Sequence, residues 1–135
     1  DIGQLAYFVV DAEAYRRVRH QAIGDGQLLA HEAAAFGLDH AEVGRLLTSH
    51  WQLPTSILQA IGRHHETDGI WHSKLEAVIN LAETLSRALD IPASPHNRVL
   101  SLNAAALDYL GLNWAMPEMA DLIGRSRARF TYACS

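Results

Sequence analysis

Nowhere along the chain do polar and apolar residues alternate with the two-residue period of a half-buried strand. Where apolar positions recur they do so at three- and four-residue steps, and Ala, Leu, Glu and Arg dominate. The pattern predicts helices only. Residues 1–10 read as the last turns of a buried helix that ends where Val9-Val10 meets Asp11, and a helix from about 12 to 23 follows with Asp11 as its N-cap. Gly24-Asp25-Gly26 breaks it, and a short alanine-rich helix over 27–36 has Gly37 as its C-cap candidate.

Asp39 starts the next helix, with Glu42 three residues later as a capping-box partner. His40, Val43, Gly44, Leu47 and Trp51 fall on one face of a 3.6-residue period, so Trp51 and the Leu46-Leu47 pair read as core. An interior helical glycine costs roughly 1 kcal/mol against alanine, so Gly44 on that face predicts a close approach by a helix or ligand. After Leu53, Pro54 opens another helix as its first residue. Ile57 and Ile61 point inward there, His64 continues their line, and His65 lies on the adjoining Leu58-Ile61 line. Asp68-Gly69 makes a turn, and Ser73 and Glu76 cap the longest helix, 73–89, with a stripe of Leu75, Val78, Ile79, Ala82, Leu85 and Leu89. Pro92 and Pro95 punctuate a loop, and helices near 98–110 and 117–128 complete the chain, the last opened by Pro117. The fold class is all-α, a compact irregular helical bundle of about six to seven helices in a single domain spanning 1–135.

Composition narrows the function classes. With 135 residues, 49% of them hydrophobic and 19% charged, the chain suits one globular domain rather than a disordered segment. No apolar run approaches the ~20 residues of a membrane helix, so no membrane partner is expected. A net charge of −4 argues against general nucleic-acid affinity, and Arg125, Arg127 and Arg129 read as a solvated helix end. The single cysteine, Cys134, rules out an internal disulfide and fits a reducing cytoplasmic setting. The chain opens at Asp1 in mid-pattern, without a methionine, and is read as a piece lacking its N-terminal part. Eight histidines stand out, because imidazole is both a common metal ligand and a near-neutral proton carrier.

In helical bundles, divalent metals are held by His and carboxylate side chains projecting inward from several helices. Asp1, Glu32, His40, His64, His65 and Glu83 are the candidates, and only the fold would bring them together. The blander readings stand beside this one. His40 suits a packed, hydrogen-bonded core histidine as well as a ligand. Glu32 suits a buried carboxylate bonding a helix N-terminus or a histidine better than a ligand. Glu83, four residues before Arg87 at the flank of its stripe, suits a surface ion pair. Tyr7, Trp71 and Trp114 are too scattered to define a binding surface, and no Ser-His-Asp order or Gly-rich phosphate loop stands out.

Asp1-Ile2-Gly3 resembles the tail of the His-Asp-Ile-Gly signature of the HD superfamily, with its histidine just upstream. The run Glu32-x3-Phe36-Gly37-x2-His40-Ala41-Glu42-Val43-Gly44-x-Leu46-Leu47-x3-Trp51-x-Leu53-Pro54, with Ile57, Ile61 and His64-His65, resembles the HDOD (HD-related output) domain, as does Asn80-Leu81-Ala82-Glu83. The resemblance implies an HD-domain-like bacterial signalling module. Its partners would be receiver or cyclic-di-GMP-related modules, its compartment the cytoplasm, and it would have no turnover of its own. It also implies a distant relation to the HD-GYP phosphodiesterases, whose ligand positions are matched by Asp1, His40, His64 and His65. Glu83 stands where a distal Asp is expected, and no Tyr-Pro follows His65-Glu66. The alternative is therefore a metal-dependent phosphohydrolase acting on a cyclic dinucleotide or nucleotide, with Fe, Mn or Zn as the metal. In such enzymes two metals about 3.5–4 Å apart activate water and clamp a phosphoryl group.

Overall fold

The carboxylate of Asp1 accepts from the backbone N–H groups of Gly3 (2.9 Å) and Gln4 (3.5 Å), and this cap starts α1, Ile2–Asp25. The computed structural model describes residues 1–67, 69–91 and 103–133. Along them α1 is followed by α2 (Leu28–Phe36), α3 (His40–His50), α4 (Thr55–Gly62), α5 (Lys74–Ala88), α6 (Ala104–Leu110) and α7 (Pro117–Ala133). No strand occurs among the described residues, so the all-α expectation holds. The chain divides into two compact units, Asp1–Glu66 and Thr67–Ser135. No described helix is long and apolar enough to cross a membrane.

In the first unit α1 is two helical segments joined at Asp11, whose φ of −154° and ψ of 88° are not helical. Asp11 caps the second segment by accepting from Ala14 N–H at 2.9 Å, the break and the cap that its sequence position predicts. The first segment is not a buried helix. Gly3 and Tyr7 face inward, but Leu5, Val9 and Val10 are exposed, Val9 by 86%. Its apolar residues are spread around the helix and only one side has a neighbour to pack on. Gly26 and Gly37, at φ of +75° and +85°, end α1 and α2 in the left-handed conformation that glycine adopts without a Cβ clash.

Asp39 caps α3 by accepting from Glu42 N–H at 2.9 Å. The reciprocal arm of a capping box does not form, because the Glu42 carboxylate takes both arms of the Arg45 guanidinium, at 2.6 and 2.8 Å. Asp39→Ala is expected to lower stability by about 1 kcal/mol, read from urea denaturation, and no change would remove the cap from the account.

The buried stripe of α3 is His40, Gly44 and Thr48, with Ala41 beside it. Trp51 and Leu46 are exposed instead of core, Trp51 by 54%. Trp51 caps the end of α3, where the helical period no longer sets its direction, and Leu46 lies two residues from Gly44, on the far side of the turn. Pro54 is the residue before α4 rather than its first, with an extended ψ of 142°. Ala60 is buried on α4, and Ile57 sits at the exposed margin.

Helix α3 packs against α1 and α4, and glycines make the crossing close. A Cβ on Gly44 would lie 2.9 Å from Ile61 Cγ2 and 3.2 Å from Ile2 Cγ2. A Cβ on Gly3 would lie 2.7 Å from the His40 carbonyl carbon and closer still to its oxygen. The close approach that Gly44 predicts is therefore with α1 and α4 together, and it brings residue 1 to the start of α3.

In the second unit Ser73 caps α5, accepting from Glu76 N–H at 3.3 Å, and the buried Glu76 carboxylate accepts from His72 N–H at 3.2 Å. The inward face of α5 is Ala77 and Leu81 with Glu76 and Asn80, not the expected Leu75-Val78-Ile79 stripe, which is exposed. Small residues and satisfied polar groups let α6 lie close, and Asn103 Nδ2 donates to Asn80 Oδ1 at 3.0 Å. Leu81, Leu107 and Met119 pack together, and Trp71, Ala77 and Ala106 form a second cluster. Helix α7 starts at Pro117 as expected and runs past 128. Asp68 of the expected turn, residues 98–102 of the expected sixth helix, the Pro92–Pro95 loop and Cys134 lie outside the described residues.

Candidate metal centre

Four side chains meet where α1 begins, α3 begins and α4 has just ended. One ligand atom from each of Asp1, His40, His64 and His65 lies within 4.8 Å of the other three. Four of the five candidates that the sequence nominates in this unit are thus together. His64 and His65 are not on the helix, as their periodicity suggests, but in the turn after Gly62, where Arg63 is the C-cap. The turn aims both rings back toward α3, with ring centroids 5.4 and 4.9 Å from that of His40.

Asp1, His40 and His64 are each oriented by a second contact. One oxygen of Asp1, Oδ1, caps α1, which turns Oδ2 toward His40 Nε2 at 3.1 Å and His64 Nε2 at 3.2 Å. His64 Nδ1 lies 2.6 Å from the Ile61 carbonyl oxygen. A carbonyl only accepts, so Nδ1 carries the proton and Nε2 presents its lone pair in the neutral ring. His40 Nδ1 donates to Glu32 Oε2 at 2.6 Å, and the same oxygen accepts from the His40 backbone N–H at 2.9 Å. That fixes His40 in the same tautomer, with Nε2 2.8 Å from His65 Nε2. Glu32 bonds both a helix N-terminus and a histidine, and it stays out of the donor group.

Glu32 is fully buried. Burial pushes its carboxyl up, but the hydrogen bond and charge of His40, then the Tyr15 hydroxyl, outweigh it and hold the group below the usual carboxylate range. Tyr15, also fully buried, donates to Glu32 Oε1 at 2.7 Å. Burial first, and then this bond to an anion, push its phenol up. Tyr7 donates to the Leu38 carbonyl, and burial together with the Glu32 charge raises it to about 12. The sequence reading does not single out Tyr15. It sits on the inward Tyr15–Val18–Ala22 face, and a buried tyrosine needs an acceptor for its hydroxyl, which a buried Glu32 supplies.

Glu83, on α5 of the second unit, accepts from Arg87 Nε at 2.6 Å, with both side chains about a third exposed. The ion-pair reading describes it.

Three imidazole nitrogens and a carboxylate oxygen this close repel unless a proton or a metal cation sits among them. Nitrogen-rich sets with one carboxylate suit Fe, Mn or Zn, and a carboxylate on the outer nitrogen of a ligating histidine is the usual support. The donor set fits a divalent cation. His40 is essentially inaccessible, whereas the Asp1 side chain is 21% exposed, so the group opens to solvent at Asp1.

Residues 1–67 match the model of the HDOD domain family. Over those residues the chain belongs to the HDOD family. The HDOD segment ends one residue beyond the first compact unit and contains all four donors as well as Glu32 and Tyr15. No curated protein and no solved structure matches the chain.

Proposed function

We propose that the HDOD segment is a non-catalytic signal-transduction module that holds one divalent cation at Asp1, His40, His64 and His65. In this reading it acts by contact with other signalling domains, receiver or cyclic-di-GMP-related modules being the expected partners and the cytoplasm the expected compartment. The observation that carries it is the single convergent donor group. Among the described residues no other set of three or more His, Cys, Asp or Glu comes together. The four donors form a single group, whereas a two-metal phosphoryl clamp holds two ions about 3.5–4 Å apart. Glu83, in the sequence position of the distal carboxylate of HD enzymes, pairs with Arg87, which supports the same reading.

When bound, the cation supplies a fixed positive charge that ties the start of α1 to the start of α3 and to the turn after α4. The chain's own residues do the rest. Glu32 holds the His40 ring, the Ile61 carbonyl holds His64, and the N-terminal turn of α1 holds Asp1. A metal-dependent phosphohydrolase is the second reading, favoured by the partial exposure of the Asp1 side chain, which opens the donor group to solvent.

Adding Mn²⁺, Fe²⁺ or Zn²⁺ to the metal-free full chain tests the assignment. One equivalent is expected to bind, and at a hundred times Kd to add about 2.7 kcal/mol of stability. His40→Ala should abolish that gain. A chain that takes up no metal refutes the centre. Hydrolysis of cyclic-di-GMP or bis(p-nitrophenyl) phosphate that disappears in His64→Ala replaces the regulatory reading with the enzymatic one.

A further inference from the structure

The contacts around His40 do not stop at Glu32. Both carboxylate oxygens are in use, Oε2 by the His40 amide and ring and Oε1 by the Tyr15 hydroxyl. Tyr15, Glu32 and His40 are all fully buried, so none of these bonds has water as a ready substitute. The Tyr15 ring is itself fixed, edge-on to Phe8 at 4.8 Å between centroids, with Tyr7 at 5.1 Å and Phe36 at 6.2 Å. Its hydroxyl cannot follow a carboxylate that swings.

We propose that Tyr15 is a positioning residue for His40, acting through Glu32 to keep the His40 Nε2 lone pair aimed at the metal. The inference rests on the metal reading above and extends the centre by one residue. The carboxylate is anchored by His40 at one oxygen only, and rotation about its Cγ–Cδ bond would exchange the two oxygens. The Tyr15 bond to the other oxygen blocks that rotation. A carboxylate can only accept, so the phenol donates to Oε1 and leaves Oε2 facing His40. Oε2, held there as an acceptor, keeps the proton of His40 on Nδ1. With phenylalanine at 15, Oε1 is a buried acceptor with no partner, the carboxylate is free to turn, and the tautomer that frees Nε2 loses its support.

Tyr7 provides the control. It belongs to the same aromatic cluster, stacked on Phe36 at 4.5 Å, but its hydroxyl goes to the Leu38 carbonyl and not to Glu32. The test is calorimetric titration of the untagged, metal-free full chain with Zn²⁺, beside denaturation of the same samples in EDTA. Tyr15→Phe is expected to weaken Zn²⁺ binding by about 10-fold. Tyr7→Phe should lower stability in EDTA and leave the Zn²⁺ affinity unchanged. If Tyr15→Phe binds Zn²⁺ as the wild type does, Tyr15 is structural only and the inference is overturned. A wild type that fails to bind removes the metal reading, and this inference with it. Should Tyr15→Phe not fold, NMR of the wild type decides. The protected Tyr15 hydroxyl proton is expected to shift on Zn²⁺ loading, and an unmoved resonance overturns the proposal.

Discussion

Glu32→Ala is expected to lower the unfolding free energy by about 3–5 kcal/mol, measured by urea denaturation in EDTA so that metal affinity does not enter. The substitution removes a fully buried acceptor from three donors at once: the Tyr15 hydroxyl, the His40 amide and His40 Nδ1. Each donor left buried without a partner costs about 1–3 kcal/mol, moderated by whatever relaxation admits water. A cavity from the lost side chain adds to it. A domain of this size is stabilised by roughly 5–15 kcal/mol in total, so the variant is expected near the edge of folding. Glu32→Gln keeps the volume and one acceptor and should lose less. A loss below 1 kcal/mol for Glu32→Ala would mean that the three donors find water, and the buried-network account would be wrong.

The second large effect is expected at Gly3. Its missing side chain is where the first turn of α1 touches the backbone of α3, and a Cβ there meets the His40 carbonyl, which has no flexible end to move aside. Overpacking against backbone costs about 1–3 kcal/mol and more when neighbours cannot shift, so Gly3→Ala is placed at about 3 kcal/mol. Because Asp1 is two residues away, the same variant should lose metal affinity as the first turn lifts. Gly124→Ala is the contrast: a Cβ there meets nothing within 4 Å, and the helix gains up to about 1 kcal/mol. Equal melting temperatures for the two variants would contradict the crossing described here.

How far the sequence could be read depended on whether a feature was local. The Asp11 break, the Asp39 and Ser73 caps and the Gly37 stop were legible, since each is decided by one side chain and the backbone within a few residues. Gly44 was legible as a close approach, though not its partners. Which helix face is inward was less so. On α5 the bulky Leu75, Val78 and Ile79 outweigh Ala77 on a hydropathy wheel, yet close helix packing selects the small residues. The donors are legible one by one, from residue type and from the HDOD resemblance, but their convergence needs three elements far apart in sequence. Tyr15 was invisible because its partner lies 17 positions away and no short pattern links them.

One oxygen of Glu32 serves both the amide and the ring of His40, and this has a thermodynamic consequence. A histidine tied at its backbone and at Nδ1 to the same buried anion has almost no rotamer freedom left. Fixing a flexible side chain on binding ordinarily costs about 0.5–1.5 kcal/mol. At His40 that entropy is already lost when the chain folds, so the ring is preorganised and a cation arriving at Nε2 does not have to order it.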